Sequence, residues 1–227
     1  MKIDKEFSKN AQSYLDHNTI QNRVASELIA SLPSQPKRII DLGCGNGGLF
    51  KQIDWELEHF IGVDFASQML ELHPKTAITE CIFGNFNNPQ LYEHLYSLQM
   101  EHLFSASALQ WAEDLDKVFT FITALDIPVS LAIFTSGTFT TLNKTAGLAP
   151  LLRSSTEVQT LVEKHFNAKF EVKTYQLKFN NTREMFRYIK KSGVSGSRRV
   201  LDYKQTKQLM QAYPLDYLEF EVVFIYS

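Results

Sequence analysis

The stretch "RIIDLGCGNGGLF", residues 38–50, sets four of the chain's ten glycines within six positions, directly behind a short apolar run. A strand ending at Leu42, a tight glycine turn and a helix over 47–54 together read as the first strand-to-helix loop of an α/β sheet. Where Cβ atoms are missing a ligand can lie against the main chain, so the loop reads as a cofactor site. Two templates fit it: Gly43, Gly45 and Gly48 match G-x-G-x-x-G, the dinucleotide pattern, while Asp41, Gly43, Gly45 and Gly47 match D-x-G-x-G-x-G. A dinucleotide would set its pyrophosphate on a helix N-terminus, and a carboxylate at the same loop would oppose it. Asp41, at the strand end, instead suits a cation, and S-adenosylmethionine carries both an ammonium and a sulfonium. The other reading of Asp41 is a helix-capping carboxylate.

Outward from this loop, β-branched runs at 38–42, 59–63, 78–83, 101–106 and 129–135 alternate with helical patterns at 47–54, 66–73, 89–98 and 114–125. Such alternation builds βαβ units with right-handed crossovers, hence a parallel sheet covered on both faces. Two helical patterns within 5–32 precede the first strand. Strand-like 169–179 and 217–226 close the chain, with helical 181–192 and 204–212 inserted between them. The expectation is one doubly wound α/β domain with a mostly parallel seven-stranded sheet. Its parts are an N-terminal helical lid over 1–35, a cofactor-binding core over 36–135 and a helical insertion over 180–213.

Composition excludes several classes. With 227 residues, 44 % of them hydrophobic, the chain can fill a core of its own, and a net charge of −2 gives no reason to expect nucleic acid. The polar opening lacks the apolar core of a signal peptide, and no run approaches the ~20 apolar residues of a membrane span, so a cytoplasmic protein is expected. Cys44 and Cys81 form no metal-type pair and are expected as thiols, with no metal site.

Further loops add candidates. Asp64 closes "FIGVDFA", where a carboxylate can accept both hydroxyls of a ribose or simply cap the next helix. In "FGNFNN", residues 83–88, the Asn85 carbonyl can meet an adenine amino group and Phe86 can cover the ring, although the segment reads equally well as a turn before a Pro-initiated helix. "SASALQWAED", residues 105–114, leaves room through its small residues and sets Gln110 and Trp111 at the rim where an acceptor would sit; Trp111 packed on the sheet is the alternative.

Taken together, these features resemble the class I, S-adenosylmethionine-dependent methyltransferases, and more narrowly the malonyl-acyl-carrier-protein O-methyltransferase family of biotin synthesis. "FSKNAQSYLDHNTIQ" is similar to that family's opening F-x3-A-x2-Y-x6-Q, through Phe7, Ala11, Tyr14 and Gln21. "SASALQW" is similar to its S-N-x-A-x-Q-W, "YIKKSGVSGSRR" to its L-K-x-I-G-A-T segment with Gly193 on the glycine, and "YPLDYLEFEVVF" to its closing P-L-x-Y strand. Two departures stand out: Asn85 replaces the usual Asp, and "ITALDIPVS" replaces L-K-P-G-G before the fifth strand.

The resemblance implies methyl transfer to the free carboxylate of a malonyl thioester, with a small-molecule carboxyl methyltransferase of the trans-aconitate type as the near alternative. It implies a cofactor set of Asp41, Gly43, Cys44, Gly45 and Gly47 on the first loop, Asp64, Phe65 and Met69 on the second, and Asn85, Phe86 and Ser105 beyond. Acceptor contacts fall to Tyr14, Gln110, Trp111, Arg198 and Arg199, the arginines facing the malonyl carboxylate. No catalytic acid or base is required, because a carboxylate with a pKa near ~4 is already ionised at neutral pH. Arg183, Arg187, Lys190, Lys191, Arg198 and Arg199 stand against one acid, Glu184, and read either as a solvated face or as a dock for an acidic carrier protein. A monomer is expected. A nicotinamide-dependent oxidoreductase is the reading from another class, with Tyr203 and Lys207 at Tyr-x3-Lys spacing, and a non-catalytic interaction module is a third.

Overall fold

Why the first strand is apolar on both faces becomes clear from its neighbours. In the computed structural model, which describes residues 18–191 and 201–227, β1 (Arg38–Leu42) lies between β2 (His59–Asp64) and β4 (His102–Ala106), parallel to both. The seven strands run in the order β3-β2-β1-β4-β5-β7-β6, with β3 at Thr79–Phe83, β5 at Val129–Phe134, β6 at Lys169–Lys178 and β7 at Tyr217–Tyr226. β7 alone is antiparallel to both of its neighbours. This is the mostly parallel, doubly wound sheet expected from the sequence.

Eight α-helices are described: α1 (Thr19–Ala30), α2 (Ser67–Leu72), α3 (Pro89–Tyr96), α4 (Leu115–Thr123), α5 (Thr140–Ala146), α6 (Ser155–His165), α7 (Thr182–Lys191) and α8 (Tyr203–Ala212). They cover both faces, so inner strands must be apolar on each side. Ile40, Leu42, Ile61, Val63 and Leu103 pack with residues of α3, α4 and α6. Ile39, Phe60 and Phe104 point the other way and pack with Val24 and Leu28 of α1 and with Met185 and Tyr188 of α7. Alternation then places Asp41 on the same face as Ile39, toward α1, and this fixes the site. Among the described residues no helix is long and apolar enough to cross a membrane.

Two differences from the sequence reading have local causes. The helix expected over 47–54 is a run of turns ending in a single 3-10 turn at Phe50–Gln52. Gly47 and Gly48 each cost a helix about 1 kcal/mol relative to alanine, and Gly47 sits at φ +78°. Two helices between β5 and β6 escaped the reading. α6 opens on a reciprocal capping box, Ser154 with Glu157, which is a legible signal; α5 begins after Phe139 at φ +58° and is threonine-rich, which is not. Phe7, Ala11, Tyr14, Gly193, Arg198 and Arg199 lie outside the described residues.

α1 is strapped to the far edge of the sheet. Glu27 accepts from Lys173 Nζ at 3.0 Å and from Tyr175 Oη at 2.9 Å, both on β6, and from Arg23 Nε at 3.3 Å, while the Arg23 guanidinium lies 4.8 Å above the Tyr175 ring. Burial alone would raise the Glu27 carboxyl, but hydrogen bonds from Lys173 and Tyr175 hold it below the ordinary range. A depressed carboxyl stabilises above its unfolded pKa and loses that contribution as pH falls through the folded value. Glu27→Gln should therefore cost about 1 kcal/mol at pH 7, lowering the thermal midpoint by about 2–4 °C, with the gap closing in acid. Thermal melts of both proteins at pH 7 and near pH 4 check this; equal midpoints at pH 7 would remove the strap.

Candidate active site

The glycine loop takes its shape from its backbone angles. Gly43, Gly45 and Gly47 have φ of +79°, +54° and +78°, values that disfavour any other residue, whereas Gly48 has no such angle. A Cβ on Gly43 would stand 2.2 Å from the Cβ of Ala108, and one on Gly47 would stand 2.6 Å from Pro74 Cδ. The positions that need glycine are thus those of D-x-G-x-G-x-G. The α-helix that G-x-G-x-x-G would aim at a pyrophosphate does not follow the loop. The turn is fastened instead to β2, through Gly43 N–H and Cys44 N–H donating to Val63 O at 2.7 and 3.1 Å.

Asp41 and Asp64 meet at this loop. Asp64 accepts from Gly45 N at 2.9 Å and from Ala66 N at 2.8 Å, so it pins the loop and caps the turn into α2 with the same carboxylate. Asp41 is 1 % exposed, and its Oδ1 has no hydrogen-bond partner among the described residues. Burial, and then the charge of Asp64, push the Asp41 carboxyl up to about 8; burial raises Asp64 to about 6 against its backbone donors. At neutral pH the pair therefore keeps a proton on Asp41, and a cation entering beside it would displace that proton.

Polar atoms without partners gather around this point. Asn46 Nδ2 on the loop, and Ser107 Oγ and Gln110 Oε1 on the turn after β4, are likewise buried and unpartnered among the described residues. Ser107 has φ +65°, and Gln110 donates from Nε2 to Ser107 O at 2.6 Å. That turn touches the glycine loop through Ala108. Buried polar groups are normally paired, so a cluster of unpaired ones at one end of the sheet marks a ligand's place. A cleft of about 50 Å3 opens there, lined by Asn18, Gln21 and Asn22 from the α1 side, by Asp41 and the loop, and by Ala106. It is far smaller than the ~300–1,000 Å3 of ligand sites. A wider hollow of about 530 Å3 behind α1, lined by Trp55 and Leu32, includes none of these unpartnered atoms.

Several expected contacts fall differently. Ser105 is fully buried and donates to Leu42 O at 2.7 Å, tying β4 to β1, so it is corrected from a cofactor contact to a link inside the sheet. Phe86 is 4 % exposed within the core over α3 and α4, where Tyr92 Oη donates to its carbonyl at 2.9 Å; its ring is committed to packing and does not cover a ligand. Asn85 is exposed, and its Oδ1 accepts from Asn87 N at 2.9 Å and from Asn87 Nδ2 at 2.8 Å, the turn reading of that segment. Phe65 and Met69 form a small cluster with Ala66 and Leu72 directly after Asp64. Cys44 is buried, with its thiol pushed up by burial. Trp111 packs half-buried on the core beside Gln110.

Asn18, Asn22 and Asn46 were not singled out from the sequence, and Gln21 was noted only as a motif position. Its signal was a polar side chain on the face that also carries Ile20, Val24 and Leu28. Among the described residues no cluster of His, Cys, Asp and Glu could hold a metal ion.

No protein-family model matches the chain. It is 23 % identical to the malonyl-[acyl-carrier protein] O-methyltransferase of Acinetobacter baylyi, over 96 % of this chain and 88 % of that one. It is 25 % identical to the protein of the same name from Chlorobium phaeovibrioides, over 86 % and 80 %. The trans-aconitate 2-methyltransferase of Pseudomonas aeruginosa is 28 % identical, over 52 % and 42 %. Among solved structures, the YcgJ protein of Bacillus subtilis superposes with a TM-score of 0.59 at 12 % identity, covering 88 % of this chain and 96 % of that one. The plantazolicin methyltransferase BamL, solved with S-adenosylhomocysteine, gives 0.52 at 12 % identity, over 99 % and 90 %. The fold is the Rossmann-like fold of class I methyltransferases, and the resemblance to malonyl-acyl-carrier-protein O-methyltransferases runs through most of the chain.

The Asp41 carboxyl yields a prediction. A raised carboxyl costs stability once the unfolded chain ionises, so the cost grows from about pH 4 to about pH 8. Asp41→Asn should raise the thermal midpoint of the ligand-free protein more at pH 8 than at pH 5, while weakening S-adenosylmethionine binding by about tenfold or more. Melts at the two pH values and calorimetric titration check both halves; unchanged cofactor affinity would remove Asp41 from the site.

Proposed function

We propose that this class I, S-adenosylmethionine-dependent methyltransferase methylates the free carboxylate of a malonyl thioester. The observation that carries the donor is Asp41, buried and unpartnered beneath three glycines of positive φ. What supports the acceptor is the near-full-length similarity to proteins named malonyl-[acyl-carrier protein] O-methyltransferase, together with Gln110 and Trp111 on the turn that abuts the glycine loop.

The cofactor, when bound, supplies an electrophilic methyl on a positive sulfur. Asp41 would hold cationic character at the end of β1, Asp64 would accept hydroxyls at the end of β2, and the loop's bare main chain would lie against the ligand. A carboxylate acceptor would take that methyl as it stands, so no residue of the chain has to remove a proton. A nucleophile already ionised needs no base, so the chain's task is to align the reacting atoms at about 3–3.5 Å and exclude water. Gln110 is 9 % exposed, and its free Oε1 is placed to orient an acceptor donor group such as a thioester-arm amide.

An acidic carrier protein is the proposed bearer of the malonyl group. On α7, Arg183, Arg187 and Lys190 are exposed and fall on one face, while Met185 and Tyr188 of the same helix are buried. None of the three forms an ion pair among the described residues, and the acid beside them, Glu184, accepts instead from Asn180. Tyr188, on the buried face of the same helix, packs edge-on against Phe220, which meets Phe139 just past the end of β5 and so fixes the helix that carries the basic surface. Such a surface steers an acidic partner mainly through on-rate.

Tyr203 is 86 % exposed at the start of α8, where its spacing to Lys207 builds no oxidoreductase site. Incubation with methyl-labelled S-adenosylmethionine and either malonyl carrier protein, malonyl-CoA or trans-aconitate should place label in a malonyl methyl ester, faster with the carrier at low salt. Label in trans-aconitate alone would move the assignment to the small-molecule class, and label in none of the three would overturn it.

A further inference from the structure

A methyl acceptor that arrives as a carboxylate needs a cation, because a buried unpaired anion is costly. Arg153 is half-buried just before α6, and it bridges two loops at the site. Its Nη2 donates to Ala112 O at 2.8 Å and to Glu113 O at 3.4 Å, the two residues that follow Trp111; its carbonyl accepts from Ser136 N at 2.8 Å, just past the end of β5. The guanidinium thus rests on the same turn that carries Gln110 and Trp111. No carboxylate among the described residues lies within ion-pair distance of it. The nearby Glu157 is taken by its capping box, bonded to Ser154 N and Oγ at 2.6 and 2.7 Å.

One nitrogen of the fork is spent on backbone carbonyls. Nε and Nη1 have no partner among the described residues. An arginine so held is pre-oriented, and its remaining N–H groups carry the positive charge that an anionic acceptor needs. The other cations of this region are engaged otherwise: Lys51 donates to Asn46 O at 2.8 Å, and Arg23 lies over Tyr175. Earlier on the same turn, the buried Ser107 Oγ and Gln110 Oε1 have no partner among the described residues. We infer that Arg153 binds the acceptor's free carboxylate and selects acidic acceptors over neutral ones. This rests on the carboxylate acceptor proposed above.

The pair has a kinetic signature. Methyl transfer converts the carboxylate into a neutral ester, so the ion pair is made with the substrate and lost with the product, and nothing makes it stronger in the transition state than with bound substrate. Such an interaction favours binding and product release without speeding chemistry. Its removal should appear in KM and not in kcat.

The test uses the full chain as wild type, R153Q and R153K, assayed with malonyl-CoA or, if the wild type accepts only that, malonyl carrier protein. Glutamine can still donate to the carbonyls of residues 112 and 113 but carries no charge; lysine keeps the charge without the fork. R153Q should raise KM about tenfold or more, hold kcat within about twofold and leave the affinity for S-adenosylhomocysteine unchanged, with R153K between. An unchanged KM would overturn the inference. So would a joint fall in kcat and cofactor affinity, the mark of an arginine that only fastens α6 to the turn. If the wild type methylates none of the three carboxylates, the proposed function fails and Arg153's role fails with it; a competent wild type matched by R153Q sinks Arg153 alone.

Discussion

A carboxyl group near the end of an inner parallel strand, covered by a helix and with an oxygen left without a hydrogen-bond partner among the described residues, is an unfavourable thing to build, and Asp41 is such a group. Its neighbours make matters worse before they make them better. Asp64 lies close enough that its charge helps raise the Asp41 carboxyl, and Asp64 has itself taken the backbone donors, Gly45 and Ala66. Positive charge entering the cleft would offset both effects. Geometry at the end of the sheet follows from that: glycines that leave the main chain bare, Ala106 and Ala108 that take little space, and a helix that closes the top.

Stability and function divide α1 between them. Its C-terminal half is tied through Glu27 to β6, across the last three strands of the sheet, while its N-terminal half supplies Gln21 and Asn22 to the cleft. The acceptor side is organised in the same way, by the turn after β4, which touches the glycine loop at Ala108 and is held from outside by Arg153. Donor and acceptor residues therefore share one contiguous rim.

The fold was legible because alternating strand and helix patterns are strong signals, and all seven strands fall where the β-branched runs lie. The glycine register was not decidable from letters alone: Gly47 and Gly48 read alike in sequence, and only φ separates them. Asp41 and Asp64 were singled out because strand ends and loop chemistry coincide, and the structure sets both at the glycine loop. Ser105 and Phe86 fall differently for separate reasons: Ser105, on β4, spends its hydroxyl on Leu42 O inside the sheet, while Phe86, in the turn before α3, packs into the core. Arg153 gave no signal at all, because what matters about it is its seat on the carbonyls of residues 112 and 113, a property of space and not of spacing.

The central claim is that Asp41 holds a proton until a cation replaces it. Calorimetric titration with S-adenosylmethionine across pH 6 to 8.5, repeated in two buffers of different ionisation heat, reads that exchange directly. The carboxyl raised to about 8 predicts that affinity strengthens as pH rises toward 8, with close to one proton released per ligand near pH 7, and that Asp41→Asn abolishes both effects. Affinity that is flat with pH, with no proton released, would contradict the account.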